Sequence, residues 1–301
     1  YDIPHTVESG RREPIDYMRQ VLLPEVVAAV KQNAGFDSGW YGNFVEDERV
    51  LDRDGVADPE SAVGEGWMTY PHHPRFGCNY RGLTNRLDLL LECYSYLGFE
   101  ERVQTTYAWL LESLRAVARR STEIVSLVRR CQMPPPRVAV SYHLDVMDSP
   151  IEILTRSPRT LEGSPTSLSM PFLARFVGDV VVDRPPGYLV PSRLGAFFRG
   201  HGLEVVAAPA AAHVERATLE ALGAVSGRAI LEASGVGQRQ VAWEEADGEL
   251  SPDWLLIKTE QPLGALAVYL CEPASDDGII EAGFSLTPEV GGTFEVMRWL
   301  G

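Results

Sequence analysis

Three consecutive prolines, Pro134 to Pro136, divide this chain into two stretches of different patterning. Proline fixes φ and lacks an amide hydrogen, so a run of three forbids helix and stiffens whatever it joins. Before the run, apolar residues recur at spacings of three and four, the period of a helix face. After it they mostly alternate, the period of a half-buried strand. The expected organisation is two domains, residues 1–133 and residues 134–301. The first is α/β, a mixed sheet with helices. The second is β-rich and sandwich-like, with short strands between turns rich in Gly, Pro, Asp and Ser.

Within the first stretch, Glu13-Pro14 opens a helix, since proline suits a first turn. Ile15, Met18, Leu22, Val26 and Val30 line its apolar face, Pro24 kinks or splits it, and Asn33-Ala34-Gly35 ends it. Residues 46–66 are acidic and glycine-bearing and read as a long exposed loop. Leu87 to Leu91 is too short an apolar run for a helix and fits an inner strand that ends at Glu92. From Phe99 to about Arg130 the pattern is helical, with Val103, Tyr107, Leu110, Leu111, Leu114 and Val117 on one stripe. In the second stretch, strands are expected at Val138–Val146, Asp179–Asp183, Gln238–Glu244 and Leu263–Leu270, with one short helix near Pro191–Arg199.

The 27 basic and 42 acidic side chains leave a net charge of −15, with the second stretch the more acidic. That balance argues against an electrostatic grip on nucleic acid or anionic membrane, and neither is expected as a partner. No apolar run approaches the ~18 residues of a membrane span. The four cysteines, Cys78, Cys93, Cys131 and Cys271, form no CxxC pair, which excludes a zinc ribbon or a thioredoxin motif.

Residues Tyr70 to Tyr96 read YPHHPRFGCNYRGLTNRLDLLLECYSY. This segment resembles the end of the catalytic domain of bacterial zinc carboxypeptidases, through Pro74-Arg75-Phe76-Gly77, Asn79-Tyr80, Gly82-Leu83, Asn85-Arg86, then Glu92 and Tyr94-Ser95-Tyr96. The stretches Ser9–Val26 and Trp40–Phe44 are similar to the same subgroup. So are Tyr188–Pro191, His201–Val205, Pro262–Pro273 and Ser275–Gly278, so that the likeness runs through most of the chain. It departs at Cys78 and Cys93.

The resemblance implies a zinc metallocarboxypeptidase, a hydrolase of peptide substrates that is usually exported to the periplasm or secreted. It implies that Glu92 is the general base and acid, taking a proton from water and passing it to the leaving amine. It implies that Tyr80 meets the substrate, with Tyr70 in reserve. Arg75, Arg81 and Arg86 read as structural. From residue type alone, Glu92 better fits a buried carboxylate paired with an arginine such as Arg86, or a strand-end charge in water.

A zinc enzyme needs ligands. HxxE occurs at His5–Glu8 and at His201–Glu204, both read as structural. The adjacent His72 and His73 would face opposite sides of an extended chain, so they are expected to pack in a loop rather than share an ion. No metal ligand is assigned within the chain. The resemblance places the zinc ligands upstream of Tyr1, so this chain corresponds to the C-terminal portion of such an enzyme and is expected to be inactive alone. The competing expectation is a metal-free relative that uses its acidic β domain to bind a partner.

Overall fold

A computed structural model describes residues 1–45, 66–94, 97–155, 166–223 and 239–301. The expected loop at 46–66 therefore lies outside the described residues, apart from Gly66.

The chain opens with an irregular segment and then a long helical stretch. Helix α1 (Arg12–Tyr17) passes through a π-helical turn at Met18–Leu22 into α2 (Leu23–Ala34). The π turn sits immediately before Pro24. A proline cannot donate to the carbonyl four residues back and its ring crowds it, so the ladder widens there instead of breaking. Gly35, at φ 78°, ends α2 in the left-handed conformation that glycine adopts without strain. The expected start, kink and stop of this helix are all observed.

Two short strands follow, β1 (Asn43–Phe44) and β2 (Trp67–Met68), then α3 (Gly77–Leu83), α4 (Phe99–Arg119) and α5 (Ser121–Arg130). Beyond the prolines come β3 (Arg137–Val146), β4 (Ile151–Thr155), β5 (Thr166–Met170), β6 (Phe172–Asp183) and β7 (Gly187–Pro191). A 3-10 turn leads into α6 (Gly195–Gly200). The chain closes with β8 (Val206–Ala207), β9 (Ala211–Leu222), β10 (Arg239–Glu249), β11 (Trp254–Lys258), α7 (Gly264–Cys271) and β12 (Thr293–Trp299).

The strands form a four-stranded mixed sheet in the order β1-β2-β6-β3, a six-stranded antiparallel sheet β10-β9-β12-β7-β11-β8, and the pair β4-β5. The four-stranded sheet draws strands from both sides of Pro134. The molecule is thus a mixed α/β structure.

Two details differ from the sequence reading. Leu263–Leu270 is not a strand: residues 264–271 form α7, and every residue of it is buried. Its run GALAVYLC is apolar at nearly every position, which fits a fully buried strand or a fully buried helix equally well by pattern. The Ala- and Leu-rich composition favours helix. This helix packs against β3 of one sheet and β7 of the other, so the β-rich part contains a helical layer that a sandwich lacks. Leu87–Leu91 is extended but forms no strand; its pairing among the described residues is a single antiparallel bridge between Leu90 and Asp2.

The core has two main centres. One surrounds α7, with Val138, Val140, Tyr188, Val190, Phe198, Ile257 and Val296. The other joins α1, the π turn, α2 and the inner face of α4, through Ile15, Met18, Leu22, Val26, Val30, Trp109 and Ala116.

Candidate functional site

Glu92 ends the extended segment. Leu87, Leu89 and Leu91 lean on the helical core. Successive side chains of an extended chain point to opposite sides, so Glu92 shares the other side with Asp88 and Leu90. Leu90 is fixed by reciprocal backbone hydrogen bonds with Asp2, at 3.0 and 2.9 Å. The next residue, Cys93, rests on the first turns of α4, its Sγ 3.5 Å from the Arg102 carbonyl oxygen. Glu92 is exposed. It lies near enough to the Tyr1 amino group to oppose the lowering that burial imposes on that amine.

Beside it, α4 is inverted relative to the usual amphipathic helix. Its buried face is Ala108, Trp109, Glu112 and Ala116. The apolar stripe read from the sequence faces outward: Val103, Tyr107, Leu110, Leu114 and Val117 are exposed, as are Phe99 and Tyr94. Of the expected stripe, Leu111 alone is half-buried.

Tyr80 sits elsewhere. It is on α3, packed against the core around α7, and its hydroxyl is 3.0 Å from Nδ1 of His201. Burial raises its pKa. No hydrogen bond or ring contact links it to Glu92 among the described residues. Tyr70, the reserve, is enclosed by His5, Tyr41 and Phe76.

The motif around α3 has a clear bracing role. Asn79 Oδ1 accepts the His5 amide at 2.8 Å, and its amide nitrogen donates to the Pro71 carbonyl at 2.8 Å. Asn85 Oδ1 accepts the Arg11 amide at 2.6 Å. A Cβ on Gly82 would come within 2.2 Å of the Pro4 ring, so only glycine lets the N-terminal segment lie against α3. Arg75 pairs with Asp277 and Arg81 with Asp88, as structural arginines should.

Neither HxxE pair makes a metal site. His5 is buried with Nε2 3.1 Å from Thr69 Oγ1 and 3.3 Å from Asp2 Oδ2. Glu8 instead accepts the Gly178 amide at 3.1 Å. His201 is engaged by Tyr80. No group of three metal-binding side chains includes Glu92 among the described residues. The described residues therefore assemble no catalytic zinc site at Glu92.

One cluster does assemble. The rings of His72 and His73 lie 4.5 Å apart, both buried, and Asp276 meets them. This corrects the expectation that the two neighbours diverge: both rings are buried and in contact. His72 Nε2 is 2.7 Å from Asp276 Oδ2, which also accepts the Tyr142 amide at 3.1 Å. Tyr269 donates its hydroxyl to Asp276 Oδ1. Burial would raise the Asp276 pKa, but His72, His73 and the Tyr269 hydroxyl outweigh it and hold it below the ordinary value. Burial, with His72 alongside, lowers His73 to about 4. Asp276 stands 204 residues from His72. Ser275–Gly278 was legible only as part of the family likeness, and no local spacing connects it with the histidines.

Comparison of the chain with family models, curated proteins and solved structures returns no match. No described helix is long and apolar enough to cross a membrane.

Proposed function

We propose that this chain carries the proton-transfer carboxylate of a zinc-dependent metallocarboxypeptidase, with Glu92 as general base and then general acid. The observation that carries this reading is the state of Glu92. It is exposed, it makes no hydrogen bond or ion pair with the described residues, and its backbone position is braced through Leu90 and Asp2. Carboxylates that serve the fold here are engaged: Glu25 by Arg119 and Arg120, Glu272 by Tyr188 and Arg298. The residue after Glu92, Cys93, meets the first turns of α4 at Arg102 and Thr106.

In this reading Glu92 accepts a proton from the attacking water and returns it to the departing amine. Zinc supplies a polarised carbonyl and an acidified water when bound. In this reading its ligands come from residues other than the described ones, and the polypeptide that bears them covers the stripe of α4. Tyr80 reaches a substrate only by releasing His201.

The test uses the full-length, zinc-loaded protein and measures release of C-terminal residues from peptides. Glu92→Gln should lower kcat by about 10²–10⁴-fold, with zinc content unchanged. Undiminished turnover in that variant, or no peptidase activity in the wild type, overturns the reading.

A further inference from the structure

We infer that His72, His73 and Asp276 form a binding site for one divalent transition-metal ion of the zinc class, seated where the 70–76 loop meets the 272–278 segment. The first ground is the donor set. Two imidazoles and one carboxylate suit zinc, cobalt or nickel. They do not suit calcium or magnesium, which take oxygen ligands. The second ground is convergence. One ligand atom from each residue lies within 4.8 Å of the others. An ion at zinc distances of about 2.0–2.2 Å would take the place of the 2.7 Å His72–Asp276 hydrogen bond and draw the His73 nitrogen toward that pair. Loop residues can make that movement.

The third ground is independent of the first two. His73 is 3% exposed, and its Nδ1 is buried with no hydrogen-bond partner. Buried polar atoms are nearly always paired, so an orphan calls for an explanation. Ligation of a cation by this nitrogen would supply one.

The surrounding groups fit the role as well. Tyr269 and the Tyr142 amide orient the Asp276 carboxylate. The Tyr142 hydroxyl is itself held: Ser9 Oγ gives its proton to the Ala139 carbonyl at 2.6 Å, so Tyr142 donates to Ser9 at 2.5 Å. Metal sites characteristically hold their ligands through such outer partners. Arg75, bound to Asp277, closes the outer side. An ion here would fasten the 70–76 loop to the 272–278 segment. The site shares no residue with the peptidase reading, and the two can fail separately.

The experiment strips the chain with a chelator, then titrates it with Zn²⁺ by equilibrium dialysis and with Co²⁺ by visible absorption. One ion per chain is expected, with Mg²⁺ and Ca²⁺ unable to compete. His73→Ala and Asp276→Asn should each weaken binding by at least ~100-fold. His213→Ala and His143→Ala, at exposed histidine–carboxylate pairs, should leave it unchanged. If the seam variants fold poorly, imidazole ¹⁵N resonances of the wild type decide: Zn²⁺ should move those of His72 and His73. No stoichiometric ion, binding that survives His73→Ala, binding lost in a surface variant, or resonance shifts confined to other histidines would each overturn the inference.

Discussion

Helices α7 and α4 make a matched pair with opposite outcomes. Helix α7 is apolar all round and buried all round, between β3 and β7. Helix α4 is polar on average but carries an apolar stripe, yet it buries the adjacent face and leaves the stripe in solvent. In α7, pattern and environment agree, and the helix is part of a finished core. In α4 they disagree. Exposed apolar patches larger than a few hundred Å² often mark interaction sites, which is the role the proposed reading gives this stripe. The difference teaches that hydrophobic periodicity reports that a face will be covered, but not by which part of which chain.

The finished region should be the fragile one. Arg239 and Glu281 form a buried ion pair, and Arg239 also donates to the carbonyls of Pro273 and Ser275, both at 3.1 Å. Arg239→Met leaves Glu281 buried without a counter-charge, which should cost about 3–5 kcal/mol. Urea unfolding measures it; a loss below about 1 kcal/mol would show that water reaches Glu281. On α7 itself, Leu266→Ala should cost about 2–5 kcal/mol, because Leu266 is 1% exposed in the centre of the core.

How much of this was legible depends on range. The long helix before Gly35 was readable because its signals are local: Pro24 forces the π turn, and Gly35 supplies the left-handed stop. Strands β3 and β10 were readable from alternation. Helix α7 was not, because an unbroken apolar run has no period to read. The composition of Leu87–Leu91 suits a strand, whereas pairing depends on a neighbour, and among the described residues only Asp2 is there. The metal-type cluster was out of reach for the same reason at greater distance: Asp276 arrives by tertiary folding. The rule that neighbours in an extended chain face opposite sides does not describe His72 and His73, whose rings meet.

A smaller effect comes from the join between α3 and α6. Burial lowers the pKa of His201 below 6.5. The folded state then binds this proton less readily than the unfolded chain. The contribution is fully present above pH 6.5 and is lost as pH falls through that value towards the folded pKa. Stability measured by urea at pH 8, 6.5 and 5.5 should fall in that order, and His201→Gln should flatten the part owed to this residue. The partner facing it is Tyr80, with Phe197 against the ring. An unchanged slope in His201→Gln would place the titration elsewhere.

The smallest effect is the most pointed test of the comparison. Leu114 is 67% exposed on the outward stripe of α4. Leu114→Ala removes the same atoms as Leu266→Ala, so transfer energy per methylene is matched and only the surroundings differ. For this chain alone the change should lie within about 0.5 kcal/mol. If the stripe is covered in the full-length protein, the same substitution there should cost about 2–5 kcal/mol. Equal and small costs in both settings would mean that α4 meets water in every form of the protein. The α4 edge would then give no support to a peptidase built around Glu92. A large cost in this chain alone would mean that the stripe is already covered by a second copy, which a concentration-dependent sedimentation coefficient would reveal.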